Sequence, residues 1–372
     1  MKDRRRPHIR TKQRDGLAFA GIGSISQPMS ANSITRLFSA KGKVAGTLRL
    51  CVTIALLVGL WYLTDGPEIR ERLSRAEWSW LLAALITAHL QIVLSALRWR
   101  LTAAQLGQPL PWSNAIGEYY LSQLINLTMP GGILGDASRA VRQRHQVGML
   151  RAAQAVMIER LVGQFALFGV LFSGFVIVTL RPGTLILPAW LAEVIAWLAI
   201  GSAGLLVIGG LLCLVPGILS RMAGGFLVAI RLGLLARGVW PRQLGLSLAI
   251  VACNLGSFAF CAAATGTDLP LAAVVTVLPL ILIAMLIPVS VGGWGLREGA
   301  AATIWPVMGA GAEAGIAASI AFGFVILAAS LPGLWVLMTR LRRVGPDAPT
   351  SGPVLPGRGE GQLQDQTPAK HC

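Results

Sequence analysis

The sequence predicts an all-α integral membrane protein with about six full spans and two re-entrant helical hairpins (or short span pairs) in inverted repeats. Three observations predict it. Of 372 residues, 54% are hydrophobic and only 13% charged, with a mean hydropathy of +0.66, whereas a water-soluble domain carries about a quarter charged residues. Six apolar runs approach or exceed the ~20 residues a helix needs to cross a ~30 Å hydrocarbon core. Two further stretches carry matching Gly and Pro punctuation of the kind that breaks a helix.

The apolar runs are 46–64, 78–97, 161–180, 189–215, 243–264 and about 314–339. Trp61, Trp78, Trp80, Trp99, Trp190, Trp240 and Trp335 stand at or near their ends, where interfacial aromatics belong. Basic residues set the orientation. Residues 1–49 hold eleven Lys and Arg against two acids, which places the N-terminus in the cytoplasm. The loop 65–77 then falls outside and Arg98 and Arg100 inside, as does 134–160 with Arg139, Arg142, Arg144, Arg151 and Arg160. Arg181 is outside, Arg221 to Arg242 inside, 265–269 outside, and Arg340, Arg342 and Arg343 inside. Of 32 basic residues, 27 fall inside, four outside, and Arg297 within the membrane zone. Both flanks of 112–130 are then cytoplasmic and both flanks of 270–312 external, so each reads as a hairpin that dips in and returns.

A net charge of +16 raises nucleic acid as a partner, but in so apolar a chain it marks membrane orientation, and no nucleic-acid partner is expected. The five cysteines (51, 213, 253, 261 and 372) show no CxxC and no metal spacing and read as reduced packing residues. There is no P-loop, GxSxG, HExxH or zinc pattern, and no DxD in the outer loop. No cofactor, no metal and no enzymatic reaction are expected. Residues 1–45 form a basic cytoplasmic arm, and a start at Met29 would make 1–28 surplus. Residues 46–342 form one membrane domain, with repeats at about 78–180 and 189–339. The Pro/Gly-rich tail 343–372 reads as disordered and cytoplasmic.

The two punctuated stretches resemble each other. Gly107 to Pro111 and Gly266 to Pro270 both read G-x-x-L-P. Pro130 and Pro288 follow, then Gly131-Gly132 and Gly292-Gly293, then Gly135 and Gly295. Arg139 and Arg297 each lie nine residues beyond the Pro. Similar segments in opposite orientation are the mark of inverted repeats, whose broken helices meet near the midplane. A helix beginning near Asp136 or Leu296 directs its N-terminus at an anion, and Arg139 and Arg297 add planar phosphate recognition. Asn114, Glu118, Ser122 and Asn126 recur every four residues, which makes one polar stripe on a helix. The stripe is either a hydrophilic path or a packing seam. Glu159 either pairs with Arg139 or offsets a helix dipole, and Arg160 either joins it or snorkels. Arg297 and Glu298 are adjacent and point apart on a helix, so each needs its own partner. Glu118 and Glu298 are the candidate proton carriers. His89 reads as a helix-to-helix hydrogen bond.

The stretch from Ala96-Leu97-Arg98-Trp99-Arg100 through Asn126, Pro130-Gly131-Gly132, Gly135-Asp136 and Arg139, with Glu159-Arg160 and Pro288 to Gly299, resembles the lysylphosphatidylglycerol synthase transmembrane family. This is the flippase-like membrane domain of the multiple peptide resistance factor, and it has stand-alone and hopanoid-associated bacterial members. The resemblance spans about residues 45–342. It implies re-entrant inverted repeats in a bacterial inner membrane and movement of an anionic or polycyclic lipid between leaflets. Leu134 stands where the family often has a further Gly, and the soluble aminoacyl-transferring domain has no counterpart here. The implied substrate-binding set is Asn126, Pro130, Gly131, Gly132, Gly135, Asp136, Arg139, Glu159, Arg160, Pro288, Gly292, Gly293, Gly295, Arg297 and Glu298. The alternative function is a membrane-embedded enzyme or accessory factor in hopanoid or glycolipid biosynthesis. Expected partners are membrane lipids, with room for a homo-oligomer or lipid-biosynthesis enzymes.

Overall fold

The computed structural model describes residues 40–129, 132–181, 185–212, 218–234, 236, 238–287 and 289–343. The expectations for residues 1–39 and 344–372, and for Pro130, Gly131 and Pro288, lie outside the described residues. Every regular element among the described residues is helical, apart from one isolated bridge residue, Val291. In order they are α1 (Ala40–Leu63), α2 (Gly66–Ser74), α3 (Trp78–Gln105), α4 (Trp112–Thr128), α5 (Leu134–Val147), α6 (Met149–Leu180), α7 (Ala189–Leu212), α8 (Ile218–Leu234), α9 (Trp240–Ala264), α10 (Leu271–Ala284), α11 (Leu296–Ile304), a short 3-10 helix (Trp305–Met308), α12 (Ala312–Ser330) and α13 (Pro332–Arg343). Six helical stretches are long and apolar enough to cross a membrane: 46–63, 78–105, 149–180, 189–211, 240–264 and 312–340. They coincide with the six runs read from the sequence. The third begins earlier than expected, because α6 runs unbroken from Met149 with neither Gly nor Pro before Gly163.

At the centre α3 and α9 lie antiparallel. Glu77 N–H donates to Ala264 O at 3.0 Å, Ser257 Oγ to Ala84 O at 2.9 Å, and Gln243 Nε2 to Thr102 Oγ1 at 3.0 Å. Ala84, Ala88, Ala96 and Ala103 on α3 are buried, and such small side chains let helix backbones approach in a membrane. Pairing of polar groups toward both ends fixes the register.

Each central helix ends in the same joint. Gly107 has φ +81 and Gly266 φ +83. Gln108 N–H reaches back to Ala103 O at 2.9 Å and Thr267 N–H to Ala262 O at 2.8 Å. Pro111 (φ −59, ψ 145) and Pro270 (φ −63, ψ 149) then start α4 and α10 in extended backbone. The G-x-x-L-P motif is therefore a helix stop followed by a helix start: glycine supplies the left-handed turn and proline the fixed φ.

After α4 and α10 the chain bends and returns as α5 and α11, which gives two helix–bend–helix units. Gly132 (φ +65), Gly292 (φ +58), Gly293 (φ +81) and Gly295 (φ +85) supply the turns, as the paired glycines predict. The two bends touch. A Cβ on Gly292 would lie 2.8 Å from Leu127 O at the end of α4. Thr53 accepts a hydrogen bond from Val291 N–H in the second bend at 2.9 Å. Thr53 is ten residues from the end of α1, roughly 15 Å or half a hydrocarbon core. The second bend therefore meets α1 near the middle of its apolar stretch 46–63.

Most expected interfacial tryptophans are exposed, from Trp80 at 40% to Trp78 at 83%. Trp99 is the correction. It is 1% exposed, turned inward by its place on the α3 face that meets α4, α5 and α6.

Candidate functional site: a buried arginine–carboxylate cluster

Three guanidiniums and two carboxylates converge between α3, α4, α5 and α6. Glu159, 1% exposed, receives Arg98 Nη2 on Oε1 at 2.6 Å and Arg139 Nη2 on Oε2 at 3.1 Å. Tyr119 OH also donates to Oε1 at 3.1 Å. Asp136, in the first turn of α5, receives Arg139 Nη2 at 3.1 Å and Ser122 Oγ at 3.1 Å on Oδ1, and Asn126 Nδ2 at 3.2 Å on Oδ2. Arg160 faces both oxygens of Asp136, with Nη2 3.0 Å from Oδ1 and Nε 2.7 Å from Oδ2. The Arg139 guanidinium is fully buried between Trp99 and Tyr119, its carbon 4.5 and 4.7 Å from the two ring centres.

Helical periodicity explains the convergence. Asp136 and Arg139 are three apart on α5 and share a face. Tyr119, Ser122 and Asn126 line one side of α4, and Asn126 Oδ1 also accepts Gly135 N–H at 2.8 Å. Gly135 has helical backbone, and its role is close approach: a Cβ there would fall 2.0 Å from Ser122 O. The expected polar stripe is thus a hydrogen-bonded seam between α4 and α5. Its end member Asn114 is exposed and outside the seam. Glu118 is clasped by Arg142 Nε at 2.7 Å and Arg340 Nη1 at 2.6 Å. Arg98 also donates to Ser247 Oγ at 3.2 Å, which ties the cluster to α9.

The charge does not close. Arg98, Arg139 and Arg160 face Asp136 and Glu159, one positive charge in excess. Arg139 Nε and Nη1, Arg98 Nε and Trp99 Nε1 are buried donors without a hydrogen-bond acceptor. Buried donors without acceptors are uncommon in folded proteins. The cluster is rich in donors and carries one net positive charge.

The second bend carries a different arrangement. Arg297 and Glu298, both fully buried, pair with each other, Nη2 to Oε1 at 2.5 Å. The expectation of separate partners is therefore corrected. Glu298 Oε2 accepts Gly295 N–H at 2.6 Å and caps α11, which turns Oε1 back toward its neighbour. Ser319 accepts from Arg297 Nε at 2.7 Å and donates to Glu298 Oε1 at 3.0 Å. Trp294 and Phe322 cover the guanidinium at 5.2 and 5.4 Å. This cluster is neutral, and its helix N-terminus is occupied by its own carboxylate.

Arg139 and Arg297 do not share one pocket. Arg98 and Ser247 mark the level of the first cluster on the central pair, while the second touches Phe322, which stacks on Phe258 with ring centres 4.8 Å apart. On α9 these levels are eleven residues apart, or ~16 Å along the helix. Of the expected residues, the structure brings together Asn126, Gly135, Asp136, Arg139, Glu159 and Arg160, and separately Gly295, Arg297 and Glu298. Gly132, Gly292 and Gly293 shape the bends. Arg98, Trp99, Tyr119, Ser122 and Ser319 complete the clusters. His89 Nδ1 lies 3.0 Å from Tyr120 OH, a helix-to-helix hydrogen bond. Two surface concavities, about 430 and 470 Å³, lie around α2 at Trp61, Arg70, Glu71 and Thr265, away from both clusters.

A family model described as the lysylphosphatidylglycerol synthase TM region matches residues 47–333. The matched range includes both bends and both clusters. No curated protein matches the chain.

Proposed function

We propose that this chain, which belongs to the family of the lysylphosphatidylglycerol synthase TM region, is a flippase-like transporter that carries an anionic lipid headgroup past the Arg139 cluster of a bacterial inner membrane. The observation that carries the reading is the uncompensated positive charge, held with open donors at Arg139. A lipid phosphate supplies the missing anion, and an arginine fork fits it in two hydrogen bonds. The lipid tail stays in the bilayer, so only the headgroup needs a polar site.

An inverted repeat supports the transport reading. The helices that carry the two identical joints, α3 and α9, run antiparallel. Glycine contacts are reciprocal: Gly174 of α6 packs on Val275 O of α10, and Gly333 of α13 on Tyr120 O of α4, with built Cβ distances of 2.7 and 2.5 Å. Each long helix thus presses on the hairpin of the other half. Such folds alternate access by rocking one repeat against the other. In this reading both termini are cytoplasmic. The chain carries no nucleotide-hydrolysis motif, so movement follows a lipid or ion gradient. Glu118 and Glu298 are each engaged by arginine, which argues against a lone carboxyl as the coupling element.

The test is reconstitution in liposomes with labelled lipids of anionic and zwitterionic headgroups. Wild type moves the anionic lipid faster, and Arg139→Met removes that difference while the protein stays monodisperse. Equal rates for wild type and Arg139→Met would refute the assignment. Accumulation of a modified lipid from purified protein and lipid alone would point instead to a biosynthetic enzyme.

A further inference from the structure

The surplus charge of the first cluster belongs to one side chain. Arg98 and Arg139 face Glu159 and Asp136, two cations and two anions joined by ion pairs of 2.6, 3.1 and 3.1 Å. That core is neutral, and none of its four side chains is more than 10% exposed. Arg160 is the third cation, and its side chain is 40% exposed. Its hydrogen bond and its ion pair both go to Asp136. Asp136 does not depend on it, because Arg139, Ser122 and Asn126 supply three other donors to the same two oxygens. Arg160 can therefore leave with the excess charge, and a neutral, hydrogen-bonded core stays behind.

α6 offers it a second partner. Gln164 is the only polar side chain between Arg160 and Ser173 in an otherwise apolar run. Its Oε1 is buried and receives no hydrogen bond. A buried amide oxygen without a donor is costly in an apolar setting, and a polar residue kept within a span marks a functional position. Residues four apart share a helix face, and helical side chains lean toward the N-terminus, so Gln164 reaches back toward Arg160. Seen down α6, the buried Val156 and Glu159 lie on one side of Arg160. Gln164 lies on the other, next to Met157 and Leu161, which are 55% and 37% exposed. Arg160 thus stands at the border between the cluster and the surface, with a carboxylate on the inner side and an unused carbonyl on the outer.

We propose that Arg160 is a headgroup-carrying arm with two positions: on Gln164 Oε1 it takes an anionic lipid headgroup at the exposed side of α6, and on Asp136 it presents that headgroup to the open donors of Arg139. The proposal rests on the carrier reading and gives it a moving part. A guanidinium has five N–H donors, so one bond to Gln164 leaves a pair free for a phosphate. The bound phosphate neutralises the arm, and the pair then meets a neutral core without bringing in a net charge. Arg139 Nη2 and Arg160 Nη2 both reach Asp136 Oδ1, at 3.1 and 3.0 Å, so an anion delivered there lies within reach of both guanidiniums. The structure holds the arm at Asp136.

The experiment uses full-length protein in phosphatidylcholine liposomes, with labelled phosphatidylglycerol or labelled phosphatidylcholine as cargo. Gln164→Met keeps the length of the side chain and removes the acceptor. The arm loses one hydrogen bond to a charged group, so the maximal rate for phosphatidylglycerol falls about tenfold. The lipid fraction that gives half the maximal rate stays within about twofold, because the Asp136 position is intact. The thermal midpoint does not fall, since the oxygen removed receives no bond in the structure. In an Arg160→Met background the same substitution changes the rate by less than about twofold, because the arm it serves is gone. Gln164→Asn keeps a carbonyl on a shorter stem and recovers part of the rate. The arm is overturned if Gln164→Met stays within about twofold of wild type, if it slows Arg160→Met protein as much as wild type, or if Gln164→Asn is no faster than Gln164→Met. Wild type that moves phosphatidylglycerol no faster than phosphatidylcholine brings down the carrier reading and the arm together. Wild type that keeps the preference while Gln164 proves indifferent brings down the arm alone.

Discussion

Replacing Glu159 by glutamine keeps the shape of the side chain and removes one charge from the centre of the buried cluster. The carboxylate holds Arg98 at 2.6 Å, Arg139 at 3.1 Å and the Tyr119 hydroxyl at 3.1 Å. Glutamine can still accept through its oxygen, but its NH2 faces a guanidinium that also donates. Three guanidiniums are then left with Asp136 alone. Removing one partner of a buried ion pair costs about 3–5 kcal/mol. Arg98 loses its carboxylate partner and Arg139 one of its two, so the upper end, about 5 kcal/mol, is expected. Adding Arg98→Met should recover more than half of the loss, because a neutral apolar side chain of similar length returns the cluster to the single excess positive charge of the wild type. Equilibrium unfolding in mixed micelles, followed by tryptophan fluorescence, measures both. The reasoning fails if Glu159→Gln lies within about 1 kcal/mol of wild type, or if the double variant is less stable than both single ones.

Two further outcomes are measured the same way. Gly135→Ala places a methyl 2.0 Å from Ser122 O, so α4 and α5 must part, at about 1–3 kcal/mol or more, whereas Gly299→Ala meets nothing within 4 Å and should be neutral or slightly stabilising. Glu298→Gln strands fully buried Arg297 and weakens the α11 cap, with a loss of about 3–5 kcal/mol, and adding Arg297→Met should restore most of it.

The spans were legible because apolar length and tryptophan placement act locally along the chain. The joints were legible for the same reason: Gly107 and Gly266 each need φ above zero, and Pro111 and Pro270 each start a helix. Asp136, Arg139 and Glu159 stood out as charges in an apolar setting. Arg98 did not, since an arginine at the end of an apolar run reads equally well as an orientation marker. Only the packing of α3 on α6 shows that it turns inward to Glu159. Trp99 was misread on the same ground, because an aromatic near a helix end serves either an interface or a cation. The pairing of Arg297 with Glu298 was hidden by the rule that adjacent helical residues diverge, a rule that a long side chain at a helix start escapes. The separation of the two clusters was also out of reach. It depends on the register of α3 against α9, which no local pattern encodes.

That register has a consequence for how the chain is made. The last turn of α9 lies about 160 residues after the end of α3. At roughly 5–20 residues per second, a ribosome needs on the order of ten to thirty seconds to reach it. Through that interval α3 stands in the bilayer, or beside the insertion machinery, with Ala84, Ala88 and Ala96 awaiting their neighbour and Thr102 without Gln243. The half-made molecule presents a seam of small residues to whatever lies next to it, so a chaperone or a sister chain can occupy the place that α9 takes at the end of synthesis.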